Sequence, residues 1–253
     1  MLPVHVAVAQ YANNAGNPVD DQDKAIHFAD KAMYLSDLVI LPEASFISDW
    51  TAEYIKTHSK PLNGTLTAML AEVAIARNSY LCFSIPECDG DLRYNTAILI
   101  RPDGQIAGYH RKFHLSDKDI AMGFSHGYKP AVIHTNVGRI GIIVGDEAFN
   151  NSCIRPLIAG GVQLIACPSL VTVESGDKSD EERTRWEHRL KEIAISARCY
   201  VLWANKCGAI NGKIAIGHSM IIDPHGRFIA VGSSDQEEIV RCAITPTDLF
   251  SSR

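Results

Sequence analysis

The run Leu38-Val39-Ile40-Leu41-Pro42 most constrains the fold of this chain. It is apolar at every position and stops at a proline. A strand that is half-solvated alternates in polarity, so a continuous apolar run of this length reads as a strand buried on both faces. Gln163-Leu164-Ile165-Ala166-Cys167-Pro168 repeats the pattern, and Tyr200-Val201-Leu202-Trp203-Ala204 resembles it. Between such runs lie helical patterns. Asp20 to Leu35 carries Ala25, Phe28, Ala29, Ala32 and Met33 at helical spacing, Thr65 to Arg77 is strongly periodic, and Glu181 to Cys199 is charged and amphipathic. Pro102-Asp103-Gly104 and Pro224-His225-Gly226 are turns of the kind hairpins use. Hairpins mixed with strand–helix alternation predict two sheets covered by helices. No linker, repeat or low-complexity run divides the chain, so residues 1–253 are expected to form one domain.

Several function classes are disfavoured at this level. A net charge of −5 with no basic block gives no footing for nucleic acid or an anionic membrane. No apolar run reaches the roughly 20 residues that span a bilayer. The sequence opens on the strand-like Val4-His5-Val6-Ala7-Val8-Ala9, and its seven cysteines are odd in number and mostly set in apolar runs. They read as reduced core thiols, and a cytoplasmic location is expected.

The chemistry is expected around Ile140-Gly141-Ile142-Ile143-Val144-Gly145-Asp146-Glu147. An apolar strand ends at a glycine and two acids, and Asn150-Asn151-Ser152 then opens a helix with capping residues. A strand, a sharp turn and a helix start form the arrangement in which many α/β enzymes hold a nucleophile. Here Gly145 takes the turn position and brings no side chain. Two further residues stand at strand ends. Glu43 follows Leu41-Pro42 at a predicted sheet rim, where partial burial would raise its pKa and suit it to proton transfer. Lys112 follows a strand-like run, and a fixed ammonium there could stabilise an oxyanion. His110 and His114 have the spacing of a metal-binding helix pair, but they lie on a strand-to-loop junction with no further ligand nearby in sequence. No metal and no cofactor are expected.

Taken in order, these pieces resemble the nitrilase, or carbon–nitrogen hydrolase, superfamily along almost the whole chain. The resemblance is carried by Val6-Ala7-Val8-Ala9-Gln10, Leu38 to Glu43, Tyr94-Asn95-Thr96-Ala97 with Pro102-Asp103-Gly104, and Tyr109-His110-Arg111-Lys112-Phe113-His114-Leu115. It continues through Gly138-Arg139-Ile140-Gly141, Ala159-Gly160-Gly161, Trp186, Ala197-Arg198, Ala204-Asn205 and Gly217-His218-Ser219. It implies a single-domain α/β fold, a four-layer α-β-β-α sandwich, with a Glu–Lys–Cys catalytic set. It also implies a homodimer or higher even-numbered oligomer built through helices and the C-terminal segment ending at Phe250-Ser251-Ser252-Arg253.

By this resemblance Glu43 matches the general base, Lys112 the oxyanion-stabilising lysine, and Gly145 the position of the cysteine nucleophile. Glu43 and Lys112 are expected to face each other across that empty position. Asp146 stands where the family has an aromatic. Asp117 or Asp119 stands where it has a second acid, and Asp119, Asp146 and Ser169 are the expected substrate-binding residues. Arg155, where the family often has an arginine, supports the register. The family's reaction needs a thiolate, formed when the glutamate takes the thiol proton. Neither Cys153, about two turns beyond the elbow, nor Cys167, in an apolar strand, is placed to supply it. Two readings follow. One is an amidase in lineage, acting on a small non-peptide amide, with its nucleophile missing. The other is a non-catalytic binding or assembly protein that keeps the pocket for a small amide or carboxylate.

Overall fold

Alternation along the buried strands decides the architecture. In the computed structural model, Val6 and Val8 of the first strand face one way and Ala7 and Ala9 the other, and both faces are covered. The structure describes residues 3–13, 18–47, 49–174, 178–210 and 212–246. In chain order the first half contains β1 (Val4–Gln10), α1 (Pro18–Met33), β2 (Leu38–Ile40), α2 (Ala52–His58), α3 (Thr65–Arg77), β3 (Tyr80–Asp89), β4 (Leu92–Ile100), β5 (Ile106–Arg111) and α4 (Asp117–Ala121). Then come β6 (Val132–Thr135), β7 (Gly138–Ile142), a 3-10 turn (Gly145–Phe149), α5 (Asn151–Ala159), β8 (Leu164–Ser169), β9 (Thr172–Val173) and α6 (Ser179–Ala197). The remainder is strand: β10 (Tyr200–Asn205), β11 (Cys207–Ile210), β12 (Lys213–Ile216), β13 (Met220–Ile222), β14 (Phe228–Val231) and β15 (Glu238–Ile244).

Two six-stranded sheets result, ordered β15-β1-β2-β3-β4-β5 and β14-β13-β10-β8-β7-β6. Each has three parallel strands, β1-β2-β3 in one and β10-β8-β7 in the other, flanked by antiparallel pairs. The sheets pack face to face through Val6, Val8, Leu38, Ile40, Ile140, Ile142, Leu164 and Leu202. On the outer side of the first sheet, Phe28, Met33, Leu70 and Ala74 of α1 and α3 meet Val39, Leu81 and Phe83. On the outer side of the second, Leu157 of α5 and Trp186, Leu190 and Ile193 of α6 meet Ile165, Val201 and Trp203. This is the expected α-β-β-α sandwich. The apolar stripe of α6 (Trp186, Leu190, Ile193, Ala194, Ala197) is buried in full.

Sequence periodicity locates the long helices to within about two residues but not α2, α4 or β6. These elements are too short to display a period, and side chains define the two helices. Thr51 Oγ1 accepts from Tyr54 N–H at the start of α2, and Ser116 forms a capping box with Asp119 at the start of α4. The C-terminal segment expected at the subunit interface lies outside the described residues. No helix among the described residues is long and apolar enough to cross a membrane.

Candidate active site

The C-terminal ends of parallel strands β2, β7 and β8 gather at one rim of the sandwich, and the sequence-predicted residues meet there. They line a cavity of about 200 Å³ that includes Glu43, Lys112, Asp119, Gly145 and Asp146 in its floor. Trp50, Phe149, Leu170 and Trp186 supply apolar wall, and Lys118, Glu182 and Arg185 supply charge.

Glu43 is fixed at three points. Its N–H donates to Ser169 C=O at 3.2 Å, which joins the two sheets behind the side chain. Asn95 Nδ2 donates to Oε1 at 2.7 Å and the Leu170 N–H to Oε2 at 3.0 Å. The next residue, Ala44, takes the left-handed φ of 53°, its N–H donating to Ser84 Oγ and its C=O accepting from Lys206 Nζ. Lys206 Nζ also donates to Ile47 C=O at 2.8 Å, so a buried amino group grips the loop that carries Glu43. Burial pulls the Lys206 pKa down to about 7 against the attraction of Asp21 and Glu43. Burial pushes Glu43 up to about 7. Lys112 lowers it, Asp119 and Asp146 raise it, and the Asn95 hydrogen bond favours the charged form without reversing the outcome.

Lys112 is the first residue after β5, its N–H held by Asn95 C=O at 2.8 Å. Its ammonium makes two ion pairs, with Asp119 Oδ2 at 2.8 Å and Asp146 Oδ1 at 2.6 Å, and the charge of Glu43 also acts on it. Burial alone would discharge the lysine, but Glu43, Asp119 and Asp146 together hold its pKa above the usual lysine value. Asp119 is itself organised by Ser116, whose N–H and Oγ both donate to Oδ2. Asp119 is therefore buried and committed to Lys112, whereas the Asp146 side chain is 39% exposed and turned to the cavity.

Gly145 opens the 3-10 turn at φ 52°, a left-handed conformation that residues with a Cβ adopt at a cost. A Cβ placed on it would lie 2.8 Å from Glu43 Oε2. The elbow and the Glu43 carboxylate thus point at each other. Of the three expected substrate-binding residues, Asp119 and Asp146 line the cavity and Ser169 does not. Ser169 is fully buried, and its Oγ turns to Cys167, lying 3.4 Å from that residue's C=O. The period of two along β8 gives the reason: Ile165 and Cys167 face the helices, so residue 169 follows them. Cys153 and Cys167, the two cysteines weighed from the sequence, are both buried. Burial pushes both Cys153 and Cys167 up to about 12, which keeps them protonated.

Sequence reasoning missed the group that aligns the two halves of the site. Glu147 is fully buried, and its Oε1 accepts from Phe113 N–H at 2.8 Å and His114 N–H at 3.2 Å. Its Oε2 accepts from Val144 N–H and lies 2.8 Å from His110 Nε2. Burial disfavours the carboxylate, but His110 and the backbone donors hold its pKa below the usual value. His110, a candidate metal ligand by spacing, is engaged in this brace.

The sandwich is the nitrilase fold. Saccharomyces cerevisiae Nit3, a member of branch 10 of the nitrilase superfamily, superposes with a TM-score of 0.85 at 24% identity over 96% of this chain and 90% of its own. An amidase from Nesterenkonia sp. AN1, in a double mutant complexed with acrylamide, gives 0.84 at 19% identity over 99% and 94%. The chain belongs to the carbon–nitrogen hydrolase family, whose model matches residues 5–251. Among curated relatives, the omega-amidase Nit3 of Saccharomyces cerevisiae is 27% identical over 99% of this chain and 90% of its own length. The deaminated glutathione amidase of Mus musculus is 29% identical over 90% and 74%.

Two stability measurements test this geometry. Gly145→Ala must place a Cβ against the Glu43 carboxylate in a left-handed conformation, and is expected to cost about 1–3 kcal/mol. Denaturant titration checks it, and an alanine variant as stable as the parent would mean that the elbow is relaxed. The second test uses the raised pKa of Glu43. Between the unfolded value near 4.5 and the folded value of about 7, the folded state holds a proton that the unfolded state has released. That contribution is fully present below pH 4.5 and is lost as pH rises through about 7. Glu43→Gln abolishes the titration, so it should gain on the parent across this window by up to about 3 kcal/mol, at about 1.4 kcal/mol per pH unit. The difference is superimposed on a constant cost for disturbing the Leu170 hydrogen bond. Parallel stability curves for the two proteins would refute it.

Proposed function

We propose that this protein is an amidase by descent whose Glu43–Lys112 centre binds a small non-peptide amide but forms no covalent intermediate. One observation carries the reading. The base carboxylate is aimed at residue 145, where a side-chain Cβ would stand 2.8 Å from Glu43 Oε2, and residue 145 is a glycine. The names of the relatives, omega-amidase and deaminated glutathione amidase, support the substrate class. With a thiol at this position, Glu43 would take its proton and the thiolate would attack the amide carbon. Lys112 and the Asp146 N–H would hold the oxyanion, ammonia would leave with the proton from Glu43, and water would cleave the thioester. With glycine the first bond cannot form. What remains is positioning and electrostatics, which speed direct attack by water by a small part of the full effect.

A second reading has its own observation. Asp146 Oδ1 lies 2.6 Å from Lys112 Nζ and competes for the ammonium that an oxyanion needs. This favours a binding or assembly protein whose other catalytic positions have also drifted. Lost oxyanion donors cost about 100- to 1,000-fold in rate, so the competing carboxylate matters on that scale. We further place the protein in the cytoplasm as a homodimer or higher even-numbered oligomer.

Gly145→Cys tests the first reading. The introduced thiol should react with iodoacetamide faster than the seven cysteines already present, and some small ω-amide should turn over. Adding Asp146→Tyr, which frees Lys112, should raise the rate further. If the introduced thiol is unreactive in both backgrounds and no amide in a broad panel turns over, the binding-protein reading stands instead. For association, light scattering at micromolar concentration should give a mass above the 27.7 kDa of one chain; a lone 27.7 kDa species refutes the oligomer.

A further inference from the structure

A second chamber, of about 210 Å³, abuts the amide site and is lined by Trp50, Lys118, Met122, Leu170, Thr172, Ile210 and Lys213. Four of these, Trp50, Lys118, Leu170 and Thr172, also line the first cavity, so the two spaces meet along a common border. Leu170 is one of these shared residues. Its N–H holds Glu43 Oε2 at 3.0 Å, so a residue that lines the second chamber is bonded directly to Glu43. The walls are largely apolar. Trp50 is set by a tilted ring contact with Phe124 at 5.5 Å, and Met122 and Leu170 pack on the same small cluster of Ile55, Leu115 and Phe124. Ile210 is buried, and Lys213 has its ammonium engaged by Glu174 at 2.5 Å.

The two-carbon acyl group of the smallest amides would leave this second space to water. Apolar walls next to a polar centre favour a ligand with a polar head and a hydrocarbon tail. We propose that the ligand of the Glu43–Lys112 centre is the amide of a medium-chain aliphatic acid, with the acyl chain running past Leu170 into the chamber of Trp50, Met122 and Ile210. This rests on the amide-binding reading and adds chain-length selectivity to it. Met122 and Ile210 then act as specificity-determining residues that touch the tail and not the reacting carbon.

The test is a binding series on the protein as it stands, by calorimetry with acetamide, butyramide, hexanamide and octanamide. Burying each methylene beyond butyramide should tighten binding about fourfold until the chamber is full. Met122→Glu, at a half-buried position, should flatten the series to the level of acetamide. A second readout needs no substitution: with methyl-labelled methionine, only five signals are present, and the Met122 methyl should shift with hexanamide and not with acetamide. Acetamide binding with no gain along the series, or a Met122 methyl that ignores hexanamide, overturns the chain-length inference and leaves the amide site standing. Failure of every amide, acetamide included, overturns both.

Discussion

The site depends on a single carboxylate that spans the sandwich. Glu147 comes from the elbow after β7, in the second sheet, and accepts the backbone N–H groups of residues 113 and 114, which follow β5 in the first. It also takes the N–H of Val144 and the ring nitrogen of His110. With the Cys153 thiol, 3.6 Å from Oε1, five donors converge on one side chain from both halves of the molecule. A buried carboxylate is tolerable only when its lone pairs are met in this way, and deleting one such partner is costly. Position 145 and Lys112 are aligned because of it. The geometry around Gly145 and Lys112 is therefore maintained by a group that does not itself line the cavity.

The charges within that frame divide into structural and accessible sets. Asp119 is consumed by Ser116 and Lys112, so it fixes the ammonium in place. Asp146 makes the second ion pair from the solvent side and is the part of the floor that a ligand would meet. Behind Glu43, Lys206 holds Ala44 and Ile47 through their carbonyls, where an apolar side chain could offer no equivalent pair of donors. Glu43 thus sits between an ammonium in front, already claimed by two acids, and an amino group behind, its charge weakened by burial. Its proton affinity near neutrality comes first from burial, which the Lys112 ammonium opposes and the charges of Asp119 and Asp146 reinforce.

Much of this was legible in the sequence because it lies at strand ends. Apolar runs such as Leu38–Leu41 announce buried strands, and the first polar residue after that one, Glu43, is thrown onto the rim, whereas Lys112 follows a strand-like run and was singled out by the family resemblance. The elbow was legible for the same reason, and the absence of a side chain there was plain. What the sequence did not reveal depends on pairs far apart along the chain. Asn95 and Leu170 reach Glu43 across 52 and 127 residues, and Lys206 reaches Ala44 across 162. Nothing local marks an asparagine or a main-chain N–H as a partner of a distant acid. Ser169 is a different kind of miss. Counting by twos along β8 places it with Cys167 on the helix side, so its orientation was available from the pattern. The left-handed turn at Gly145 is consistent with glycine, but glycine alone cannot announce which atom its missing Cβ would have met.

The pairing of β1 with β15 has a consequence for how the chain is made. Val4 lies opposite Ile244 and Gln10 opposite Glu238, so the first strand is flanked by the last. On a ribosome, β1 to β5 emerge within the first 111 residues and can assemble, while one edge of β1 waits for a strand about half a chain further on. At about 5–20 residues per second that wait is roughly 6–25 seconds. Throughout it, Val-His-Val-Ala-Val-Ala-Gln presents an open, mostly apolar edge, the kind that recruits foreign strands. The late arrival of β15 makes the final strand both a structural element and a seal, and a nascent chain stalled short of Glu238 would be sticky however well the rest had folded.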